Sequence, residues 1–271
     1  MRAARNSAGG RFFLKGTSVT NKLILINVVV YVFSMLMIFS IDENVFLSNI
    51  ALTPSLIASG QNLWTLITSM FSHFMFFHIF ANMFSLFFIG NFLEKIIGKK
   101  RLFWVYIFSG LIGGLFFVAS GIIFSNDVPG VGASGAIFGL LGVLAVLVPY
   151  SKIYLIAGPL IVLLAQVVLS PIVPANLAGA LNVIFNVLIF GMIFAMFSFN
   201  SNLRKFAIPV ELPMWLLPVV AIVPLVLIGF FVDLPIGNSA HIGGLVLGLA
   251  YGFYLRKRFP NKTRMLSRHF Q

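Results

Sequence analysis

Apolar residues occur along this sequence in long blocks that short polar segments separate. Each block has about the length, 17 to 25 residues, that an α-helix needs to cross a hydrocarbon core about 30 Å thick. Within a bilayer, only helices and closed barrels satisfy their own backbone hydrogen bonds. We therefore predict an all-α fold, a polytopic transmembrane helical bundle. Its eight predicted spans cover residues 23–41, 72–93, 102–124, 134–150, 153–170, 177–199, 214–232 and 239–255.

The composition of the chain excludes a soluble fold. Of its 271 residues, 60% are hydrophobic and 9% are charged, whereas soluble domains carry about 25% charged residues. The net charge of +12 does not indicate nucleic-acid binding, because the chain has hardly any polar face on which a basic patch could gather. The absence of cysteine excludes disulfides, thiolate catalysis and cysteine ligands for a metal. We expect no cofactor.

The basic residues predict how the spans are oriented. Lys and Arg gather on the cytoplasmic side of membrane proteins, and eight spans that start inside place all 18 of them there. We therefore expect cytoplasmic basic tails at 1–22 and 257–271 around a membrane domain at 23–256, in the plasma membrane. An Arg-rich, acid-free N-terminal tail is also typical of mitochondrial targeting, but the flank of a retained first span explains it more simply. The outside loops then hold the acidic residues Asp42, Glu43, Asp127 and Asp233.

The polar residues inside the predicted spans are few and share one depth. No Asp, Glu, Lys or Arg lies deep in a span, which argues against a proton pump or a transporter built on buried charge. His78 lies about six residues into a span that runs inward, and Asn82 lies one turn deeper on the same helix face. Ser134 and His241 begin two further inward-running spans. These four side chains therefore share one layer near the outer face.

Small residues predict which spans touch. Ala240, Gly244, Gly248 and Gly252 recur at every fourth position of the last span, and Gly135, Gly139 and Gly142 follow Ser134. Such faces let two helices approach closely in lipid. Packing these two faces would put Ser134 beside His241, and an imidazole within hydrogen-bond reach can accept the proton of an attacking serine. Since no carboxylate lies at that depth, we predict a Ser-His dyad.

The segment before Ser134 is suited to binding an oxyanion. Gly130 and Gly132 permit strained turns, and the backbone N–H groups at a helix start lack intrahelical partners. With His78 and Asn82 as side-chain donors, these groups could stabilise negative charge on a carbonyl oxygen.

Three separated motifs resemble those of the rhomboid family of intramembrane serine proteases. They are HxxxxHxxxN at His73, His78 and Asn82, then GxSG at Gly132, Ser134 and Gly135, then AHxxG at Ala240, His241 and Gly244. The resemblance implies Ser134 as nucleophile and His241 as general base and acid. It implies oxyanion donors at His78, Asn82 and Ser134, with His73 ordering the first outside loop. It also implies that Phe138 packs against His241, and Glu94 and Gly98 fit the family pattern as well. The substrates would be transmembrane proteins in the lipid bilayer.

The chain departs from the family pattern in two places. Thr65 follows Trp64 in the apolar loop at 42–71, where many members have Arg, although we still expect this loop to lie in the interface with Trp64 at headgroup level. Furthermore, 107 residues separate Ser134 from His241, about twice the number that a six-helix rhomboid core needs. We therefore predict a rhomboid-like six-helix core with about two extra transmembrane helices, inserted at about 153–199.

Three other interpretations remain open at this point. A catalytically silent rhomboid-like protein would bind membrane clients without cutting them, although such relatives would be expected to lack Ser134 or His241. A zinc site could form from His73, His78 and His241, but no HExxH motif accompanies them. A small-solute transporter would suit eight spans but not the lack of buried charge. The sequence does not predict the oligomeric state.

Overall fold

The computed structural model describes residues 18–38, 43–196, 200–231 and 237–269. Asp42 and Asp233, together with most of the N-terminal tail, lie outside these ranges. Helix α1 is Val19–Ile38, and three short helices follow, α2 at Glu43–Ile50, α3 at Pro54–Ala58 and α4 at Thr65–Thr68, with a 3-10 turn at Ser69–Phe71. Helix α5, Phe76–Ser85, continues through a π-helical turn at Leu86–Gly90 into α6, Asn91–Ile97. The next two helices are α7 at Lys99–Ile123 and α8 at Ser134–Leu147.

The second half of the described chain begins with a strand. Strand β1 is Lys152–Ile156, followed by α9 at Ala157–Leu169, α10 at Ala175–Met196 and α11 at Ser201–Phe206. Strand β2 is Pro209–Pro213, and a 3-10 turn at Met214–Leu216 leads into α12 at Leu217–Phe231. The last helices are α13 at Asn238–Arg258 and α14 at Pro260–His269.

A helix lies at each of the eight predicted places, and the helical bundle is confirmed. Four stretches in the described ranges are long and apolar enough to cross a membrane: Val19–Met37, Phe76–Ile97, Lys99–Ile123 and Asn176–Ala195. Helices α8, α9 and α12 are apolar but shorter. The number of crossings therefore stays a prediction.

Two predicted spans have wrong boundaries. The span predicted at 72–93 begins at Phe76, because Ser72 and Met75 have extended backbone angles. His73 consequently lies before the helix, and His78 is its third residue. The span predicted at 153–170 is wrong at its start, where β1 stands in place of a helix. A short apolar run cannot be assigned to strand or helix by its periodicity alone, and β-branched and aromatic residues favour the strand.

Strands β1 and β2 form an antiparallel ribbon that closes the base of the insert. Lys152 pairs with Pro213 at one end, and Ile156 pairs with Pro209 at the other. On the exposed face the ammonium of Lys152 lies 2.6 Å from the carboxylate of Glu211, and this hydrogen bond lowers the pKa of Glu211. The ribbon is an exception to the all-α prediction, and it brings the two ends of the inserted helices together.

Helices α7, α8 and α13 form the core around the site. From Gly135 to Leu147 every residue of α8 is buried. A Cβ atom added to Gly142 would lie 2.8 Å from the carbonyl oxygen of Leu245. Added to Gly248, it would lie 2.7 Å from the carbonyl carbon of Gly139. The two backbones are therefore in contact, which confirms the predicted packing of these two small-residue faces.

Glu94 fixes the start of α1 against the end of α6. Its carboxylate accepts hydrogen bonds from the Ser18 hydroxyl at 2.7 Å, the Thr20 hydroxyl at 2.8 Å, and the backbone N–H groups of Val19 at 3.1 Å and Thr20 at 2.9 Å. Carboxylates at a helix start satisfy N–H groups that have no intrahelical partner. Gly98, with φ of +83°, then ends α6 and begins the turn into α7.

Side chains of the loop predicted at 42–71 make hydrogen bonds that do not involve an arginine. The Trp64 ring donates from Nε1 to the carbonyl of Asn49 at 2.9 Å while remaining 52% exposed, as suits an interfacial position. Thr65 is buried and donates to the carbonyl of Asn62 at 2.8 Å. The Asp127 carboxylate accepts a hydrogen bond from the Ser55 hydroxyl at 2.6 Å and so connects the end of α7 to this loop.

We predict that Gly248→Ala lowers the free energy of unfolding by about 3 kcal/mol, which is the upper end of the range for overpacked cores. The loss is large because the new methyl group would meet the backbone of Gly139, which cannot rotate away as a side chain can. Thermal unfolding in detergent measures the loss. Gly191→Ala is the control, since no atom lies within 4 Å of its added Cβ; it should leave stability unchanged or raise it by up to about 1 kcal/mol. Equal stability of the two variants would contradict the close packing of α8 and α13.

Candidate active site

Ser134 and His241 are brought together by the starts of two helices. Ser134 is the first residue of α8 and His241 is the fourth residue of α13. The Ser134 Oγ lies 2.8 Å from the His241 Nε2, and the imidazole is 6% exposed. The predicted juxtaposition is confirmed. With a neutral imidazole that carries its proton on Nδ1, the hydroxyl donates to Nε2, which is the arrangement that a general base requires.

Glycine-lined backbone contacts set this distance. A Cβ added to Gly244 would lie 2.8 Å from the carbonyl carbon of Gly135. The carbonyl oxygen of Ala240 would be 3.3 Å from a Cβ on Gly135 and 2.8 Å from a Cβ on Gly113 of α7. Any larger residue would separate the helices. The three helices therefore meet directly below the serine and the histidine.

The His241 ring is held in place by stacking. The ring of Phe138, one turn along α8 from Ser134, lies 4.5 Å from the imidazole between centroids at an interplanar angle of 25°. The buried Nδ1 of His241 has no hydrogen-bond partner in the described ranges. Within those ranges the imidazole is thus oriented by a ring and a hydroxyl.

His73 connects α5 to the turn before Ser134. Its Nε2 accepts a hydrogen bond from the Asn82 side-chain amide at 3.0 Å and another from the backbone N–H of Ala133 at 3.4 Å. The tautomer that accepts both carries its proton on Nδ1. His73 therefore positions the side chain of Asn82 relative to the start of α8.

His78 and Asn82 both face Gly132, two residues before Ser134. Gly132 has φ of +129°, and its N–H donates to the carbonyl of Ser69 at 2.8 Å. A Cβ at Gly132 would lie 2.7 Å from the His78 ring and 3.7 Å from the Asn82 amide nitrogen. Only glycine combines this backbone angle with this space. The His78 side chain has no hydrogen-bond partner in the described part of the chain, although its backbone N–H donates to the carbonyl of Met75, so its ring N–H can be directed to a ligand.

The turn therefore combines three kinds of hydrogen-bond donor. The His78 ring and the Asn82 amide supply side-chain N–H groups close to Gly132. The start of α8 supplies backbone N–H groups, because the first N–H groups of a helix have no intrahelical partners. Such a set can bind a carbonyl oxygen that gains negative charge.

The zinc interpretation finds no geometric support here. Among the residues that the structure describes, no group of three or more His, Cys, Asp or Glu side chains could hold a metal ion. The His73 Nε2 is engaged with Asn82 and the His241 Nε2 with Ser134.

Sequence reasoning missed the contribution of α7. Gly113 contacts both Gly135 and Ala240, and Ser109 packs against Gly139, so α7 forms a third wall of the site. The signal was present in the sequence, since Gly110, Gly113 and Gly114 form a small-residue face on this helix. It points to close helix packing in the same way as the faces of α8 and α13.

Comparison with known families agrees with these motifs. A family profile described as the Rhomboid domain matches residues 60–182 and 160–258. Together the two matches run from 60 to 258, well over half of the 271 residues. The chain belongs to the rhomboid family. With four stretches that are long and apolar enough to cross a membrane, it is a multi-pass membrane protein.

The relatives of this chain include one that is named as a protease and one that is named as inactive. A Bacillus subtilis protein, YdcA, described as a candidate rhomboid protease, is 41% identical over 87 residues, which are 32% of this chain and 42% of that one. The mitochondrial rhomboid protein 1 of Saccharomyces cerevisiae is 36% identical over 97 residues, 35% of this chain and 28% of that one. The inactive RHOMBOID-like protein 8 of Arabidopsis thaliana is 33% identical over 86 residues, 32% of this chain and 23% of that one. The chain thus matches less than half the length of each of these relatives.

Proposed function

We propose that this rhomboid protein is an intramembrane serine endopeptidase that uses Ser134 and His241. The observation that carries the proposal is the 2.8 Å contact between the Ser134 Oγ and the His241 Nε2 at a buried helix start. The donors around Gly132 add the second requirement of acyl transfer, a site for the oxyanion. A merely structural serine at a helix start would not need either feature.

The proposed reaction forms and breaks an acyl-enzyme. The Ser134 Oγ attacks the peptide carbonyl carbon while its proton moves to the His241 Nε2. The carbonyl oxygen becomes an oxyanion, which the His78 and Asn82 side chains and the Ser134 backbone N–H stabilise. When the C–N bond breaks, the amine leaves with the proton from His241. Water then attacks the ester, gives its proton to His241, and releases the acid and the free serine.

Transmembrane proteins are the proposed substrates. The proposed catalytic residues lie between apolar helices, and the transmembrane helix of a substrate can approach them from the lipid. A helical carbonyl is hydrogen-bonded to the N–H four residues on, so the substrate has to unwind locally before Ser134 can reach it. Water has to enter beside the polar layer of His78, Asn82 and Ser134.

We also propose an orientation for the membrane domain. The basic residues that flank the helices support a cytoplasmic location for both termini. The active site would then open toward the opposite face. A location in the plasma membrane stays a prediction, because several relatives are named as mitochondrial.

A catalytically silent, client-binding rhomboid protein is the second candidate. It is favoured by the relative that is named inactive. The presence of both Ser134 and His241 in hydrogen-bond contact supports the protease instead, since a silent protein has no need to keep them within 2.8 Å.

We predict that Ser134→Ala abolishes cleavage of a model transmembrane substrate, because the nucleophile is lost while the fold is retained. Purified protein in proteoliposomes and gel analysis of the products measure this. A fluorophosphonate probe should label the parent protein but neither Ser134→Ala nor His241→Ala. Undiminished cleavage by Ser134→Ala would reject the protease, and undiminished labelling of His241→Ala would reject the base.

We predict that His73→Leu lowers kcat by about 10- to 100-fold and changes KM little, because a displaced oxyanion donor acts on the transition state. His73→Gln should recover part of kcat, since its carbonyl oxygen can accept from Asn82. Cleavage kinetics and the melting temperature of each variant measure this. A loss of stability that accounts for the whole loss of activity would show that His73 is structural only.

We predict that the insert can be removed without loss of the dyad. Replacing 157–208 by an Asn-Gly turn between the paired residues Ile156 and Pro209 joins β1 to β2 as a hairpin. Fluorophosphonate labelling of Ser134 should persist in this variant. A matched deletion of 149–215, which removes the ribbon together with the hydrogen bonds of Pro149 and Ser151 that hold the start of α12 to the end of α8, should lose labelling. If both lose it, the insert belongs to the catalytic core.

A further inference from the structure

A groove lies between the beginning of α1 and the end of α6, away from the proposed active site. Its volume is about 400 Å³. Asn21 is in the first turn of α1, and Lys95 is near the end of α6, so the groove lies at the level where apolar helices leave the hydrocarbon. The lining residues are Asn21, Phe87, Phe88, Asn91, Phe92 and Lys95.

The floor of the groove is aromatic and exposed. Phe87 and Phe88 are each 49% exposed, and their ring centroids are 5.2 Å apart. Consecutive side chains of an α-helix point about 100° apart, but here they belong to the π-helical turn at Leu86–Gly90, and both line the groove. The side-chain amide of Asn91 donates to the carbonyl of Phe87 at 2.8 Å and holds this turn. Such π turns are frequent at functional sites.

The rim of the groove is cationic and rich in donors. The neighbouring carboxylate, Glu94, is engaged with the start of α1. Lys95 is exposed and has no ion-pair partner in the described ranges. The Asn21 Oδ1 accepts from the Asn91 amide at 3.4 Å, and the exposed amide nitrogen of Asn21 has no hydrogen-bond acceptor in the described ranges. Lys22, also exposed, adds a second positive charge beside it.

We propose that this groove binds an anionic phospholipid. The phosphate lies between the Lys95 ammonium and the Asn21 amide, and part of one acyl chain lies over Phe87 and Phe88. Basic pockets between transmembrane helices are suited to anionic headgroups, and the adjoining rings supply an apolar surface that a free phosphate would not use. A bound lipid of this kind would join α1 to α6 at the point where Glu94 already connects them. The proposal does not depend on protease activity.

The headgroup contact is tested with lipid-depleted protein in a neutral detergent. Phosphatidylglycerol, phosphatidylcholine or glycerol phosphate is added, and binding is followed by native mass spectrometry and melting temperature. Phosphatidylglycerol should bind at least tenfold more tightly than phosphatidylcholine, and Lys95→Gln should remove this preference. Lys100→Gln, an equal change of charge outside the groove, should keep it. Equal loss in both variants, or no preference in the parent protein, would overturn the proposal.

The acyl-chain contact has its own test. Phe88→Ala should weaken binding of phosphatidylglycerol several-fold, whereas Phe253→Ala, which removes a 57% exposed ring from α13, should not. Glycerol phosphate should fail to protect the protein against thermal unfolding. If it protects as well as the lipid does, the groove is an anion site and the lipid assignment is wrong.

Discussion

The close approach of α8 and α13 is the constraint on which the proposed active site depends. In lipid, apolar side chains gain little by contacting each other rather than acyl chains, so helices associate through close packing. Here Gly139 meets Gly248, and Gly135 meets Gly244, with backbone against backbone. The serine and the histidine stand directly above this seam. Their 2.8 Å contact is therefore set by the packing of whole helices rather than by a flexible loop.

In the proposed dyad, packing takes the part that an aspartate has in many serine hydrolases. An aspartate in a triad fixes the tautomer and the orientation of the imidazole. In this chain Phe138 fixes the plane of the ring by stacking at 4.5 Å, and the helix fixes its position. A carboxylate at this depth would bring a buried charge into an apolar core, which is strongly unfavourable unless it is fully paired. A dyad of Ser134 and His241, as proposed, would need no such charge.

The sequence allowed the residues of the candidate site to be found, but not the way they are connected. Motif spacing and glycine periodicity predicted that Ser134 would meet His241, because helix packing in lipid follows directly from small-residue faces. The role of His73 could not be inferred, since it depends on an extended turn that brings its Nε2 to both Asn82 and Ala133. The first strand of the ribbon was predicted as helix from residue 153 onward, and its second strand at 209–213 was not predicted, because short apolar runs carry no period that separates strand from helix.

The ribbon also explains how the segment at 157–208 can lie between α8 and α12 without separating these two helices. The backbone N–H of Met214 donates to the carbonyl of Ser151 at 2.9 Å, and that of Trp215 donates to the carbonyl of Pro149 at 3.1 Å. The end of α8 and the beginning of α12 are therefore held as closely as a short loop would hold them. Beyond the ribbon, the rings of Phe190 in α10 and Phe77 in α5 lie 4.8 Å apart. Phe77 directly precedes His78, which is a proposed oxyanion donor. This contact therefore connects α10 to the proposed oxyanion site and leaves the packing of α8 against α13 unchanged.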